Sequence, residues 1–166
     1  LKTLKEANTL RKPIFVKVAP DLTWPAVEEV IECCLAADVA GIIATNTTIG
    51  RESLTVATQE TGGLSGEPLR RRSLEVVQFI GARLAGRLAL IGVGGISTAT
   101  DVLAMLAAGA SMVQLYTALI YEGPGVVRAI NRGLLEFMAQ RGCRSIYEAA
   151  ASFRDDITTQ SAASCR

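Results

Sequence analysis

Two rhythms of apolar and polar positions alternate along this chain. Short apolar runs occur at residues 13–19, 41–44, 88–93 and 111–117. They are strand-length, and apolar residues on both sides of the pleat suit strands covered on both faces, as in a parallel sheet. Between them the apolar positions recur at helical spacing. Val27, Val30, Ile31, Cys34 and Leu35 form one such set, with Thr23 as cap, Pro25 in the first turn, and Asp38 and Gly41 at the close. Leu74, Val77 and Ile80 mark a helix over 69–84 that Gly86 ends. A third helix runs over 98–108 to Gly109. A fourth follows Gly123-Pro124-Gly125 through Val127, Ile130, Leu134, Phe137 and Met138 to near Gly142. A short helix over 146–150 leads into a polar tail, Thr158 to Arg166, that is expected to be disordered.

The order β-α-β-α-β-α-β-α implies parallel βαβ units. Four such units are half of a (β/α)8 TIM barrel, whose usual size is roughly 250 residues. The expected organisation is therefore an α/β half-barrel over residues 1–150, the last four βα units, followed by the tail over 151–166.

Leu90-Ile91-Gly92-Val93-Gly94-Gly95-Ile96-Ser97 is the stretch around which this pattern turns. A buried strand ends in glycines, and Ser97 or Thr98 caps the helix that follows. Glycines between a strand and a helix let backbone N–H groups approach an anion, and the helix N-terminus adds partial positive charge. The stretch is a phosphate cradle or only a tight βα turn. It is not a dinucleotide fingerprint, because Ser97 replaces the third glycine of G-x-G-x-x-G.

Other polar residues gather at the same ends of strands. Lys17 interrupts the first strand near its C-terminus, where a lysine is costly unless it meets an anion or reaches water. The functional reading is favoured, because strand C-termini are where α/β sites sit. Thr45-Asn46-Thr47-Thr48 follows the second strand and offers donors and acceptors to a planar polar ligand, or satisfies a turn. A long loop, Ile49 to Pro68, carries Thr61-Gly62-Gly63-Leu64-Ser65-Gly66. Long glycine-rich loops in compact domains are more often functional than idle.

Composition removes several function classes. The 166 residues are 49% hydrophobic and 20% charged, a globular balance. A net charge of +1 argues against nucleic acid as a partner. Arg70-Arg71-Arg72 is most simply a solvated helix start. No apolar run reaches membrane-span length, so this segment is expected to be soluble. The polar start carries no signal peptide, and leucine at position 1 suggests a chain that begins mid-protein. Cys33, Cys34, Cys143 and Cys165 form no C-x-x-C pair and suit idle thiols of a reducing compartment. Histidine is absent, which removes Ser-His-Asp and Cys-His devices and most zinc sites, so no metal is expected.

The motifs VKVAPDL, IIATNTT, TGGLSGEPL, IGVGGI and AAGASMVQLYTALIYEGP, in this order and spacing, resemble the C-terminal half of class 2, quinone-reducing dihydroorotate dehydrogenases. The resemblance covers about Arg11 to Met138. It implies a (β/α)8 barrel with FMN at the strand C-termini, oxidising dihydroorotate to orotate in pyrimidine biosynthesis and passing electrons to a quinone. By motif, Lys17 resembles the lysine beside the flavin ring, whose charge would stabilise the anionic reduced flavin. Thr45 resembles a flavin-contacting threonine, and Gly66 a backbone contact of the flavin. Gly95, Tyr116 and Thr117 resemble the phosphate cradle. Asn46 and Thr47 resemble the pair that hydrogen-bonds the pyrimidine.

In this family the catalytic base is a serine in the preceding half of the barrel, so neither Ser53 nor Ser65 takes that role and no catalytic residue is expected here. The resemblance also implies association with a bacterial cytoplasmic or mitochondrial inner membrane, through segments outside this chain. The charged opening, Leu1 to Lys12, resembles the end of the helix before the first strand. Taken alone, the chain is expected to be inactive and prone to self-association, with Phe15, Val16, Val113 and Leu115 partly uncovered at its two edges. Two other readings stand beside this one: a phosphate-binding barrel of another class, such as an aldolase-like lyase or a synthase, and a non-catalytic half-barrel.

Overall fold

In the computed structural model, the described residues are 1–164 without 10, 53 and 55–59, and without the side chains of Lys2 and residues 160–164. The strands are β1 (Phe15–Val18), β2 (Gly41–Ala44), β3 (Ala89–Val93) and β4 (Met112–Gln114). The helices are α1 (Lys2–Ala7), α2 (Trp24–Ala36), α3 (Arg70–Leu84), α4 (Ala99–Ala107), α5 (Thr117–Glu122), α6 (Gly125–Arg141) and α7 (Ile146–Ser164). A single 3-10 turn, Glu67–Leu69, leads into α3. The strands form one sheet in the order β1-β2-β3-β4, parallel throughout. Lys17 pairs in register with Ile43, Ile43 with Ile91, and Ile91 with Met112.

Strand alternation sends Ile42, Ala44, Leu90 and Gly92 to one face and Lys17, Ile43, Ile91 and Met112 to the other. The first face lies under α2, α3 and α4, and there Ile42 is 0% and Leu90 1% exposed. Val27, Ile31, Val76, Val77, Ile80 and Met105 complete that core. On the second face Met112 is 54% exposed. The expectation of two equally buried faces therefore holds only in part. Four strands do not close on themselves, so the second face is covered least at edge strand β4. Phe15, Val16, Val113 and Leu115 are half-buried at those edges.

Local signals explain most boundaries. The Thr23 hydroxyl accepts from Ala26 N–H at the start of α2, with Pro25 in the first turn. Thr98 caps α4 in a capping box, accepting from Asp101 N–H while the Asp101 carboxylate accepts from Thr98 N–H. Gly142 ends α6 in a left-handed conformation. At the end of α3, Ala85 itself takes the left-handed turn, before Gly86.

Two elements differ from the sequence expectation. Thr117 is not the end of a strand but the first residue of α5, a six-residue helix with no apolar periodicity long enough to announce it. The last helix does not stop at 150: α7 continues through Thr158 to Ser164, so residues 151–164 are helical rather than a disordered tail. Long-range contacts hold it there. Phe153 meets Phe137 edge-on at 6.1 Å, Arg154 donates to Ala107 O, and Asp156 pairs with Arg141.

Helices α3 and α4 approach at Gly81, where an added Cβ would lie 2.2 Å from Ala108 O. Alanine at a helical glycine normally gains about 1 kcal/mol of propensity. Here the clash is with a backbone carbonyl that cannot rotate aside, and overpacking costs about 1–3 kcal/mol. Gly81→Ala should therefore lower the unfolding free energy, by about 1 kcal/mol or more, in a urea titration. An unchanged or higher midpoint would show that the two helices can separate freely.

Candidate functional site

All four strands end on one side of the sheet, and five stretches of chain meet there around a pocket of about 850 Å³. Lys17 comes from β1, Thr45, Asn46 and Thr47 from the end of β2, and Gly63 to Gly66 from the long loop. Gly94 to Ser97 follow β3, and Tyr116 and Thr117 follow β4. Every residue singled out from the sequence, namely Lys17, Thr45, Asn46, Thr47, Gly66, Gly95, Tyr116 and Thr117, lines this one pocket.

Each is placed by backbone bonds of its neighbours. Strand β2 leads through a cis Ala44–Thr45 peptide. Thr45 N–H donates to Val93 O at 2.8 Å, and Asn46 N–H donates to Val18 O at 2.7 Å. The segment after β2 is thus stitched to both neighbouring strands. Thr45 is 2% exposed, and its hydroxyl has no hydrogen-bond partner among the described residues. A buried hydroxyl left unmatched costs about 1–3 kcal/mol, so it marks a place where a ligand atom is due. The Asn46 side-chain oxygen accepts from the N–H of the next residue, Thr47, at 3.0 Å. Its NH2 group has no partner among the described residues and remains available as a donor. Lys17 is exposed, with no ion pair or hydrogen bond among the described residues.

The glycine loop after β2 is held over the pocket by an antiparallel bridge. Leu64 N–H donates to Thr48 O at 2.7 Å and Thr48 N–H to Leu64 O at 3.1 Å. Two residues that sequence reasoning passed over anchor this bridge. Asp21 accepts from the Thr48 hydroxyl and from Ile49 N–H. Arg51 donates to the carbonyls of Thr48, Ile49, Gly50 and Gly62. The Asp21 contacts join residues that lie 27 and 28 positions apart in the sequence, whereas Arg51 binds mainly its own neighbours and an arginine inside a glycine-rich loop was a usable hint. Ser65 accepts from the Thr117 hydroxyl at 2.9 Å, and an added Cβ on Gly66 would meet Thr117 Cγ2 at 2.9 Å, so the loop packs directly on the start of α5.

The turn after β3 is a cradle in shape. Gly95 has φ +68°, and a Cβ there would lie 2.6 Å from Arg70 Cβ, so only glycine fits. The start of α4 contributes less than expected. Asp101 already accepts from Ser97 N–H and Thr98 N–H, so a carboxylate occupies the helix N-terminus. The arginine run is not a solvated helix start either. Arg70 donates to Gly95 O, and Arg72 lies 4.2 Å over the Trp24 ring and donates to Pro20 O and Leu22 O. Only Arg71 is fully at the surface.

Elsewhere the chemistry is plain. Cys33 is exposed, Cys34 is buried and Cys143 is half-buried, all as free thiols; burial, with Cys33 adding to it, pushes the Cys34 thiol up. Cys165 and Ser53 lie outside the described residues. Among the described residues no cluster of three or more His, Cys, Asp or Glu occurs, and no helix is long and apolar enough to cross a membrane.

The donor set suits a polar ligand that carries an anionic group: a turn that a Cβ would fill, a buried Thr45 hydroxyl without a partner and a Lys17 cation without a partner among the described residues. Thr45→Val separates this view from a purely structural one. In the ligand-free protein it should be neutral or stabilising by up to about 1 kcal/mol, because it removes an unsatisfied hydroxyl. Marked destabilisation on thermal or urea unfolding would mean the hydroxyl has a partner within the protein.

Comparisons with known proteins agree with this geometry. The family model for dihydroorotate dehydrogenase matches residues 1–138. A dihydroorotate dehydrogenase (quinone) of Nostoc punctiforme is 49% identical over 158 residues, covering 90% of this chain and 42% of that protein. One from Salinispora arenicola is 53% identical over 133 residues, covering 78% of this chain and 39% of that protein. A crystal structure of the Eimeria tenella enzyme in complex with ferulenol superposes with a TM-score of 0.78 at 41% identity, over 84% of this chain and 38% of that one. The chain thus spans about two fifths of the length of the curated relatives it matches.

Proposed function

The chain belongs to the dihydroorotate dehydrogenase family, and on that premise we propose that it supplies the flavin-phosphate site and part of the pyrimidine site of a quinone-linked dihydroorotate dehydrogenase. The observation that carries the reading is the convergence of five separated stretches, from Lys17 to Thr117, on one pocket at the strand C-termini. Gly95, Tyr116 and Thr117 hold the phosphate of FMN, while Thr45, Gly66 and Lys17 meet the rest of the flavin. Bound FMN would supply the two-electron redox chemistry by which dihydroorotate becomes orotate, with a quinone as final acceptor. Lys17 sets a fixed positive charge where negative charge develops, in a pocket that excludes part of the solvent. Asn46 and Thr47 present an amide and a hydroxyl to the polar edge of the pyrimidine.

The proton-abstracting base lies outside this chain in this reading. The chain has no histidine to activate a serine, and the Ser65 hydroxyl is engaged by Thr117. Membrane contact and quinone entry are likewise assigned to segments beyond this one. The readings as a lyase, a synthase or an orphan ligand-binding half-barrel have no comparable support from the relatives.

Asn46→Ala tests the substrate half of the proposal in the intact, FMN-loaded protein. Orotate affinity, followed by flavin absorbance, should fall about tenfold or more with FMN content unchanged, since an unpaired ligand group costs about 1–3 kcal/mol. Lys17→Ala, measured beside it, should keep its FMN and slow flavin reduction in rapid mixing. Wild-type orotate binding by the first variant would return Asn46 to its role in the turn, and an unchanged reduction rate in the second would remove Lys17 from the chemistry.

The 166 residues expressed alone should show no dihydroorotate oxidation with added FMN and a quinone analogue. They should also associate by light scattering, because β1 and β4 leave unpaired backbone groups. A monomer that turns over at the rate of the intact enzyme would overturn the assignment of the base.

A further inference from the structure

The loop that forms the cradle is fastened from below by two side chains of the neighbouring helix. Arg70 Nε donates to Gly95 O at 2.9 Å, and Arg70 Nη2 lies 3.2 Å from the Ser97 hydroxyl. Ser73, one turn further along α3 and 0% exposed, has its hydroxyl 2.9 Å from Gly94 O and 3.0 Å from Arg70 O, so its one proton is shared between the loop and its own helix. The same two side chains also fix the shape of both glycines. An added Cβ on Gly94, at φ +133°, would meet Ser73 Cβ at 2.6 Å, and one on Gly95 would meet Arg70 Cβ at 2.6 Å.

Peptide planarity converts these carbonyl contacts into N–H directions. In a trans peptide the carbonyl and the following N–H point to opposite sides. With Gly94 O turned to Ser73 and Gly95 O turned to Arg70, the N–H groups of Gly95 and Ile96 face away from α3. Ser73 lies outside the pocket wall, whereas Gly95 and Ile96 line it together with Arg70.

The charge on Arg70 is already answered. Its Nε is 3.3 Å from Asp101 Oδ1, on a carboxylate only 12% exposed, and its Nη1 is 3.8 Å from Glu67. Asp101 in turn holds Ser97 N–H and Thr98 N–H. A guanidinium balanced by two carboxylates is a poor free ligand for a phosphate, but its planar fork is well suited to hold a backbone carbonyl and a hydroxyl at fixed angles.

We propose that Arg70 and Ser73 are positioning residues that aim the Gly95 and Ile96 N–H groups at the phosphate, a role that rests on the flavin site proposed above. Their action is through geometry: Ser73 reaches only the loop, and Arg70, although it lines the pocket, spends its guanidinium on the loop and on Asp101 and Glu67.

Binding of FMN and of riboflavin, which lacks the phosphate, separates this from other roles. Flavin is removed from the intact protein and each ligand is titrated back by flavin fluorescence. The wild-type protein should bind FMN more tightly than riboflavin. Ser73→Ala and Arg70→Lys should each weaken FMN by about tenfold or more and leave riboflavin within about twofold. Arg70→Lys keeps the charge and loses the fork, so wild-type FMN affinity in that variant, with loss only in Arg70→Gln, would make the role one of charge and overturn the proposal. Equal losses for both ligands would reduce it to general packing and also overturn it. If the wild-type protein does not distinguish FMN from riboflavin, the phosphate site itself fails and this proposal fails with it.

Discussion

Parallel strand pairing is the constraint from which the rest of this structure follows. Two parallel neighbours cannot be joined by a tight hairpin, so the chain must cross back over the sheet each time, and it does so through a helix. The helices then cover one face of the sheet, and every strand delivers its C-terminal residue to the same side. That shared side is why Lys17 and Thr117, a hundred residues apart, can line one pocket. No single motif builds the site; the register of the sheet does, by setting the ends of β1, β2 and β3 beside one another.

Close approach is the second condition, and glycine provides it where a side chain would interfere. Helix α3 lies against α4 at Gly81, and its first turn lies under the loop at Gly94 and Gly95. The same helix therefore carries the packing of the core through Val76, Val77 and Ile80 and, at its N-terminal end, the fastening of the cradle. Stability and site geometry share one element. A change in the core of α3 that shifts its axis would move the cradle too, because the loop's carbonyls are bonded to α3 side chains.

The parts legible in the sequence are those whose causes are local. Short apolar runs gave the four strands, Thr23 marked one helix start and the pair Ser97 and Thr98 another, where the cap is Thr98, and the glycine turn after β3 was readable as a close-approach loop. The site residues came together because each sits just beyond a strand, a position that the βα pattern defines. What escaped is set by distant partners. Helix α5 is too short to show a period, and its first residue is instead bonded to Ser65. The extension of α7 is held by Arg141, 15 residues before its partner Asp156, and by Ala107, 47 residues before Arg154. The run Arg70-Arg71-Arg72 looked uniform, yet three adjacent helical positions point in three directions, to the cradle, to solvent and to Trp24.

That divergence bears on how charge is used near the pocket. Around Arg70, the Glu67 and Asp101 carboxylates and the guanidinium are occupied with each other or with backbone groups, and Glu122 adds a further carboxylate to the lining. The side chain that carries a positive charge into the pocket without such a partner is Lys17, on the opposite side of the site from the cradle. A paired arginine contributes rigidity and little net field, since its Coulombic effect is offset at short range by Asp101. An unpaired lysine contributes field and little rigidity. The pocket thus separates the two kinds of group: backbone donors held by a rigid arginine at the glycine turn, and a lysine without a partner among the described residues at β1.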